Sequence, residues 1–530
     1  MERFFEIAMR SMTFLTVLFL VSALNINKAN SIDVFTSQIE RKNMNLINIG
    51  MTNFPSTIDP ISTWHYQEFL VVQSVYETLV RVNEGGNVVS NLAESWTIDE
   101  SGTHYSFQLR KGAHFNNGNA VTSHDVAVSF ARHLWPGSPS VVKDRLASIL
   151  KGGNTVKKNK IPSGIEEKSN DVVTFHLKAP YAPFLSVLSM PAFSIVSLSG
   201  GKPNAPVGSG PMQASYDVNE SVWHLRLSDR TATIQPTLSG FDIFPVRDST
   251  EAIKLLEAGA LDLVLGLNIQ DFSKISLAPH IKVTKTQSVG FLHLFFNNNR
   301  SLFLDPGLRK DLGLALTHLA KDRAPDANGF LVFEPHFIPR GIMSPEYYDR
   351  NLEPIPPASL RKKWFSKIQG KSLKVVLRRE LFSDKFGEEL DVVLKSFGFM
   401  PQIIFVRGGD YLPILKSGDY DIIAGGYIGN FPDPDGFLDP INRNNSFQYG
   451  NIPSDELFES ISKVRNLRDG RVRLNEYSRL LKGFESKWYF IPLYRVNAPF
   501  LHNDKIQIPD TNFRYECELW KILWRGISPS

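Results

Sequence analysis

Apolar and polar positions along the chain alternate with recognisable periods. After a polar stretch at 31–45, Asn45–Met51 (NLINIGM) reads as a first strand, broken by Pro55 and Pro60. Glu68–Val82 places Phe69, Val72, Val75, Tyr76, Leu79 and Val80 at helical spacing and predicts a helix ending towards Gly85 and Gly86. His104–Leu109 alternates as a strand. Thr122–His133 predicts a helix with Thr122 as N-cap and Asp125 at its third position, an imperfect capping box. Ile281–Asn297 is strand-rich and Leu308–Leu319 amphipathic. Further on, Lys371–Leu377, Gln402–Val406 and Asp419–Ala424 read as strands, separated by helical spacing in Ser383–Gly398 and a helical turn at Tyr411–Lys416. That βαβαβ alternation predicts an α/β unit. Glu456–Val464 and Val472–Phe484 are amphipathic helices that close it, and Glu353–Ser359, with Pro354, Pro356 and Pro357, is a surface connector.

The stretch Tyr420–Leu438 (YDIIAGGYIGNFPDPDGFL) organises this unit. A buried strand runs into a Gly425-Gly426 turn, then into a loop ending in the acidic corner Pro432–Gly436. Pro432 and Pro434 fix φ, so the loop is stiff. A stiff loop at the C-terminal end of such a strand is where α/β sheets place ligands.

Length changes the picture first. At 530 residues the chain exceeds what one core usually serves, so two or three packed units are expected. Hydrophobic residues at 42% and charged residues at 21% are ordinary for a globular protein. A net charge of +4 without a Lys/Arg run is too weak to imply nucleic acid. Near the N-terminus, Met12–Leu24 is an apolar run of 13 residues preceded by Arg3 and Arg10. It is too short to span a bilayer and has the proportions of a secretory signal, so residues 1–29 are expected to be a signal peptide cleaved after Ala23 or Ala29. Translation from Met9 would give a better n-region, free of Glu2 and Glu6. The single cysteine, Cys517, supports no disulfide framework, and no lipid-accepting Cys follows the apolar run. A soluble exported protein, periplasmic and not a lipoprotein, is the expectation.

No catalytic constellation stands out: there is no HExxH, P-loop, G-x-S-x-G elbow or dinucleotide fingerprint. Gly208-Ser209-Gly210-Pro211 lacks a third glycine and reads as a structural turn. His114, His124 and His133 are nine or ten apart, which disfavours a protein-held metal though not a metal carried inside a chelate. Asp433 and Asp435, with a proline between them, read as caps of neighbouring amides rather than as a catalytic pair. The expectation is a non-enzyme with no cofactor and no metal.

Several collinear segments carry a family resemblance. Residues 91–132 (NLAESWTIDESGTHYSFQLRKGAHFNNGNAVTSHDVAVSFAR) resemble the signature of the family 5 extracellular solute-binding proteins, the oligopeptide-, dipeptide- and nickel-binding components of ABC importers. Residues 57–86, Pro206–Met212 (PVGSGPM), Glu251–Asp262 (EAIKLLEAGALD), Leu292–Asn297 with Leu308–His318, Gly418–Asp421 through Pro432–Asp435, and Trp488–Tyr494 (WYFIPLY) resemble further family elements in the right order. The resemblance spans roughly residues 45–505. It implies a two-lobed periplasmic-binding-protein-like α/β fold (type II, cluster C-like) that closes over its ligand by a hinge. Lobe 1 would comprise 45–290, with an inserted subdomain at about 85–205, lobe 2 would comprise 291–494, and 495–530 would return to lobe 1. The implied partners are a small solute, peptide or peptide-like, and an ABC permease in the inner membrane, the chain acting as a monomer with no nucleic acid.

In peptide-binding members an Asp just before the acidic corner pairs with the ligand's α-ammonium, and an aromatic residue precedes it. The matching residues here are Asn430 and Tyr427, flanked by Gly429 and Phe431. Asn carries no charge, and a buried ammonium without a counter-charge is costly. Either another carboxylate supplies it, Asp433 being nearest, or the ligand has no free amine: an N-blocked peptide, an opine-like compound, a sugar or a chelate. Other pocket candidates are Trp64, His65 and Tyr66 after the first strand, Phe291 and His293 near the hinge, and Arg407, whose fork suits a carboxylate. Each has a bland alternative as core aromatic or surface residue. A solute sensor without import is the alternative binding role, and a secreted hydrolase the enzymatic one.

Overall fold

The computed structural model describes residues 46–524 apart from 64–65, 84, 198, 200, 229–237, 268–276, 286–289, 325–328, 350–351, 443–447, 498 and 510–518. The proposed signal segment, Trp64, His65 and Cys517 lie outside the described residues, as does the side chain of Tyr66. Among the described residues, three large sheets carry the fold.

The first sheet has seven strands. Its centre is Leu46–Met51, parallel to Gly240–Pro245 on one side and Leu263–Leu265 on the other. Val222–Leu227 and Met212–Asp217 extend one edge, and Pro499–Asn503 and Ile281–Lys285 the other. Every residue of Ile47–Met51 is buried, as expected of a strand covered on both faces.

The second sheet, of four strands, is built from Ala93–Ile98, His104–Leu109, Val172–His176 and Ile165–Ser169. Tyr105, Phe107 and Leu109 point inward in strict alternation. Helix Ser123–Leu134 packs beside it, and its start is the reciprocal capping box read from Thr122 and Asp125.

The third sheet has six strands in the order Leu331–Phe333, Phe490–Val496, Gly290–Phe296, Ile422–Ile428, Ser372–Arg378, Met400–Val406. The last three are mutually parallel, with helices Asp384–Ser396 and Gly408–Ser417 as crossovers, which is the βαβαβ unit seen in the periodicity. The chain passes from the first sheet to the third between Lys285 and Gly290, and back between Val496 and Pro499. One apolar core draws Leu261, Val264 and Leu501 from the first sheet's side and Leu292, Leu312 and Leu493 from the third's.

Two expected elements differ. The helix expected over Glu68–Val82 ends at Val75, and Val80–Val82 instead pairs with Val88–Ser90. The Gly210 N–H takes the Val75 carbonyl at 2.9 Å, and a Cβ on Gly208 or Gly210 would lie within 2.5 Å of Val75 backbone atoms. The PVGSGPM turn thus takes the Val75 carbonyl and leaves no room for the helix to continue past it. Second, Gly425 and Gly426 do not turn the chain. They continue the strand, paired with His293 and Leu292. A Cβ on Gly425 would meet the rings of Phe295 and Tyr449 at 2.7 and 2.9 Å, so the glycine makes room for aromatic packing.

Candidate functional site

Strand Ile422–Ile428 delivers the chain to the C-terminal end of the parallel strands, and residues 429–441 fold there into two short 3-10 turns, Pro434–Phe437 and Asp439–Ile441. A proline stands first in one turn and second in the other, where its missing N–H costs nothing. The Asn430 N–H donates to the Gly436 carbonyl at 3.2 Å, closing the loop on itself. Gly429 and Gly436 permit the closure: a Cβ at the first would lie 2.2 Å from the Phe437 ring, and at the second 2.5 Å from the Phe431 carbonyl oxygen.

The three carboxylates of this loop are met by three arginines. Asp433, 4% exposed, caps the first turn by accepting from the Asp435 N–H at 3.0 Å, and Arg473 grips both its oxygens. Asp435, with no exposed surface, accepts from Arg465 Nε at 2.6 Å, the Tyr181 hydroxyl at 2.6 Å and Arg145 at 3.3 Å. Asp439 accepts from Arg145 Nη2 at 2.5 Å on one oxygen. Its other oxygen accepts from the Tyr427 hydroxyl and Asn430 Nδ2, both at 3.1 Å. Asp433 thus caps a neighbouring amide, as the capping reading expected, whereas the Asp435 carboxylate caps none and is met by the side chains of Arg465, Tyr181 and Arg145.

Burial raises both inner carboxylates, and their arginines offset it to different extents. It pushes Asp433 above the ordinary range, and Arg473 does not fully offset this. It pushes Asp435 the same way, but Arg465 and Arg145 outweigh it and hold that carboxyl low. Burial also raises the Tyr181 and Tyr427 hydroxyls well above their usual range, so both stay protonated and donate.

These contacts join distant parts of the chain. Arg145 sits on helix Lys143–Ile149 and Tyr181 follows strand Val172–His176, both on the four-stranded sheet's core. Phe431 belongs to that core too, with the Arg145 guanidinium 5.1 Å above its ring. The Ala182 N–H donates to the Arg465 carbonyl at 2.9 Å, and Arg468 reaches the Asp99 and Glu100 carbonyls. The four-stranded unit therefore meets the floor of the six-stranded one along a polar seam.

The sequence-predicted residues fall into groups. Tyr427, Gly429, Asn430, Phe431 and Asp433 lie together on this loop. Asn430 Nδ2 also donates to the Tyr427 hydroxyl at 2.5 Å. Phe291 faces Tyr427 across the strand pair, ring centroids 6.0 Å apart. His293 stacks on Phe291 at 4.3 Å, and both are fully enclosed among Phe295, Phe337 and Phe490. Burial lowers the His293 imidazole to about 3, so it is neutral in that core. Arg407 is exposed at the end of strand Met400–Val406, at the same sheet edge but two strands away. Sequence reasoning missed Asp439, Arg145, Tyr181, Arg465 and Arg473. The repeated Asp-Pro of Asp439-Pro440 was the available signal for the first; nothing local marked Arg145, 294 positions from its partner. Among the described residues, Asp217, Glu220 and His224 are the group with metal-ligating spacing, on a hairpin of the first sheet, with His224 Nδ1 already 2.7 Å from Asp242.

The family model for bacterial extracellular solute-binding proteins, family 5 (middle), matches residues 87–317. Heme-binding protein A of Haemophilus influenzae is 25% identical over 455 residues, covering 78% of this chain and 81% of that protein. The probable di/tripeptide-binding protein 5 of Pseudomonas aeruginosa is 26% identical over 394 residues, covering 68% and 72%. The Helicobacter pylori ABC transporter-associated periplasmic binding protein DppA, solved with the peptide STSA, superposes with a TM-score of 0.73 at 19% identity, over 91% of this chain and 98% of that one. The fold is therefore that of the periplasmic binding proteins. Over residues 87–317 the chain is thus similar to the bacterial extracellular solute-binding proteins, family 5.

Proposed function

We propose that this solute-binding protein captures a peptide or peptide-like solute between two lobes in the periplasm and delivers it, as a monomer and without chemistry, to an ABC permease. Lobe 1 is drawn as 45–290, with the four-stranded unit inserted at about 85–205, and regains the chain at 495–530; lobe 2 is 291–494. The observation carrying this reading is the polar seam at which Arg145 and Tyr181 meet the floor of residues 427–439. It brings the four-stranded and six-stranded units together at a sheet's C-terminal edge, where a hinged pair holds its ligand. Tyr427, Gly429 and Asn430 form the proposed solute contact, and Arg407 at the same edge suits a carboxylate. A ligand closes the lobes only in so far as it binds the closed form better.

A second reading, a solute with no free amine such as an N-blocked peptide, opine, sugar or chelate, is favoured by one observation. Asn430 is uncharged, and Asp433, the nearest carboxylate in sequence, is consumed by Arg473.

A thermal-shift screen of the mature protein tests both readings, with free-amine and N-acetylated peptide pools, oligosaccharides, and nickel with and without a chelator. A ligand of the native state raises the melting temperature with concentration. Stabilisation by either peptide pool supports the peptide reading, and stabilisation by the non-peptide solutes alone overturns it.

A further inference from the structure

Of the loop's three carboxylates, Asp433 and Asp435 are sealed, whereas the Asp439 side chain keeps 25% of its surface exposed. It lies against the Tyr427 hydroxyl and the Asn430 amide, so it is the carboxylate of this floor that an entering group can reach. The cation on it is Arg145, 13% exposed, which arrives from the other side of the seam and shares its guanidinium with Asp435. Arg465 also serves Asp435, so Arg145 is the arginine that neutralises Asp439. Summed over Asp433, Asp435, Asp439, Arg145, Arg465 and Arg473, the floor carries no net charge.

We propose that Arg145 is a specificity-determining residue: by neutralising Asp439 across the seam, it makes the Tyr427–Asn430 subsite take an uncharged hydrogen-bonding end of the solute and reject a free ammonium. The chemical class this selects is an N-acylated or amide-ended peptide-like compound. An ammonium placed beside Asp439 would compete with Arg145 for one carboxylate in a partly desolvated place, where like charges repel strongly. Because Arg145 rides on the four-stranded unit, that competition opposes bringing the two units together. Rejection is then built as a clash against the wrong ligand and not only as a better fit for the right one. This inference rests on the peptide-like reading above.

Affinities of the full mature protein for N-acetylated and free-amine pools of the same tripeptides test it. Wild type should favour the acetylated pool by tenfold or more. Arg145→Gln exposes Asp439 and should cut that preference at least tenfold or reverse it. Arg145→Gln with Asp439→Asn removes the exposed charge while leaving the arginine absent, and should restore the wild-type preference. Should Arg145→Gln fail to fold or bind, Asp439→Asn alone decides: with one net positive charge left on the floor, it should disfavour the free amine further. An unchanged preference in Arg145→Gln, a double variant that behaves like the single one, or weaker rejection of the amine in Asp439→Asn overturns the inference. A wild type that favours free amines overturns it while leaving the peptide reading standing. A wild type that binds neither pool overturns both.

Discussion

Two regions of the six-stranded unit lie within one strand's length of each other and are held together by opposite means. Under strand Gly290–Phe296, Phe291, His293, Phe295, Phe337 and Phe490 pack ring against ring, and even the histidine is neutral there. Beyond the end of strand Ile422–Ile428, Asp433, Asp435 and Asp439 are held by three arginines, one of them from a different sheet's core. The aromatic cluster uses non-directional burial and needs nothing from outside its unit. The ionic floor needs each partner in place, since a buried charge without its counter-charge is strongly unfavourable. A surface meant to part and re-form around a solute is better made the second way, because its strength depends on which charges are present.

Substitutions in the two regions should differ most in what they do to binding. Asp435→Ala leaves Arg145 and Arg465 facing a fully buried site, and should cost about 3–5 kcal/mol in urea unfolding. It should also weaken solute binding, since Asp435 joins the two units. Phe295→Ala should cost a comparable amount, about 3–5 kcal/mol, through the cavity it leaves. Its solute affinity at a temperature where it is folded should stay near wild type. Equal loss of binding in both variants would erase the distinction between the regions.

Acid should act on the two regions at different pH, with a smaller effect. His293 and, beside Phe193, His133 are lowered by burial from 6.5 to about 3. The unfolded chain therefore binds more protons than the native one between those values. The stability these neutral histidines contribute is complete above about pH 6.5 and is lost as pH falls towards 3, by about 1.4 kcal/mol per pH unit for each. Asp435, whose carboxyl is held low, adds a loss that begins only nearer pH 4. Urea midpoints from pH 7 to 4 should fall in wild type and fall less steeply in a His293→Gln variant that still folds, since His133 keeps its own share. A flat wild-type profile would contradict the neutral, buried state of these rings.

What the sequence revealed follows the same division. Local rules were legible: the alternation of His104–Leu109, the Thr122–Asp125 box, the helical spacing after Ser383 and the three parallel strands each depend on residues close in the chain. Gly425 and Gly426 looked like a turn because glycine signals freedom, whereas Gly425 here relieves crowding by Phe295 and Tyr449, which are distant in sequence. Phe291 and His293 could be recognised as aromatic but not as enclosed. The loop's acidic character was plain, yet the arginines that neutralise it come from positions 145, 465 and 473, and no local pattern links them to it.

The central claim, that the Arg145-bearing unit closes onto the 427–439 floor over a solute, is tested most directly by a distance across the seam. Spin labels at Val141→Cys and Val472→Cys, both exposed, in a Cys517→Ser background, would report it by pulsed dipolar spectroscopy. A solute that raises the melting temperature should draw a broad or two-peaked distribution into one short, narrow population. A distribution unchanged at saturating solute would contradict the account.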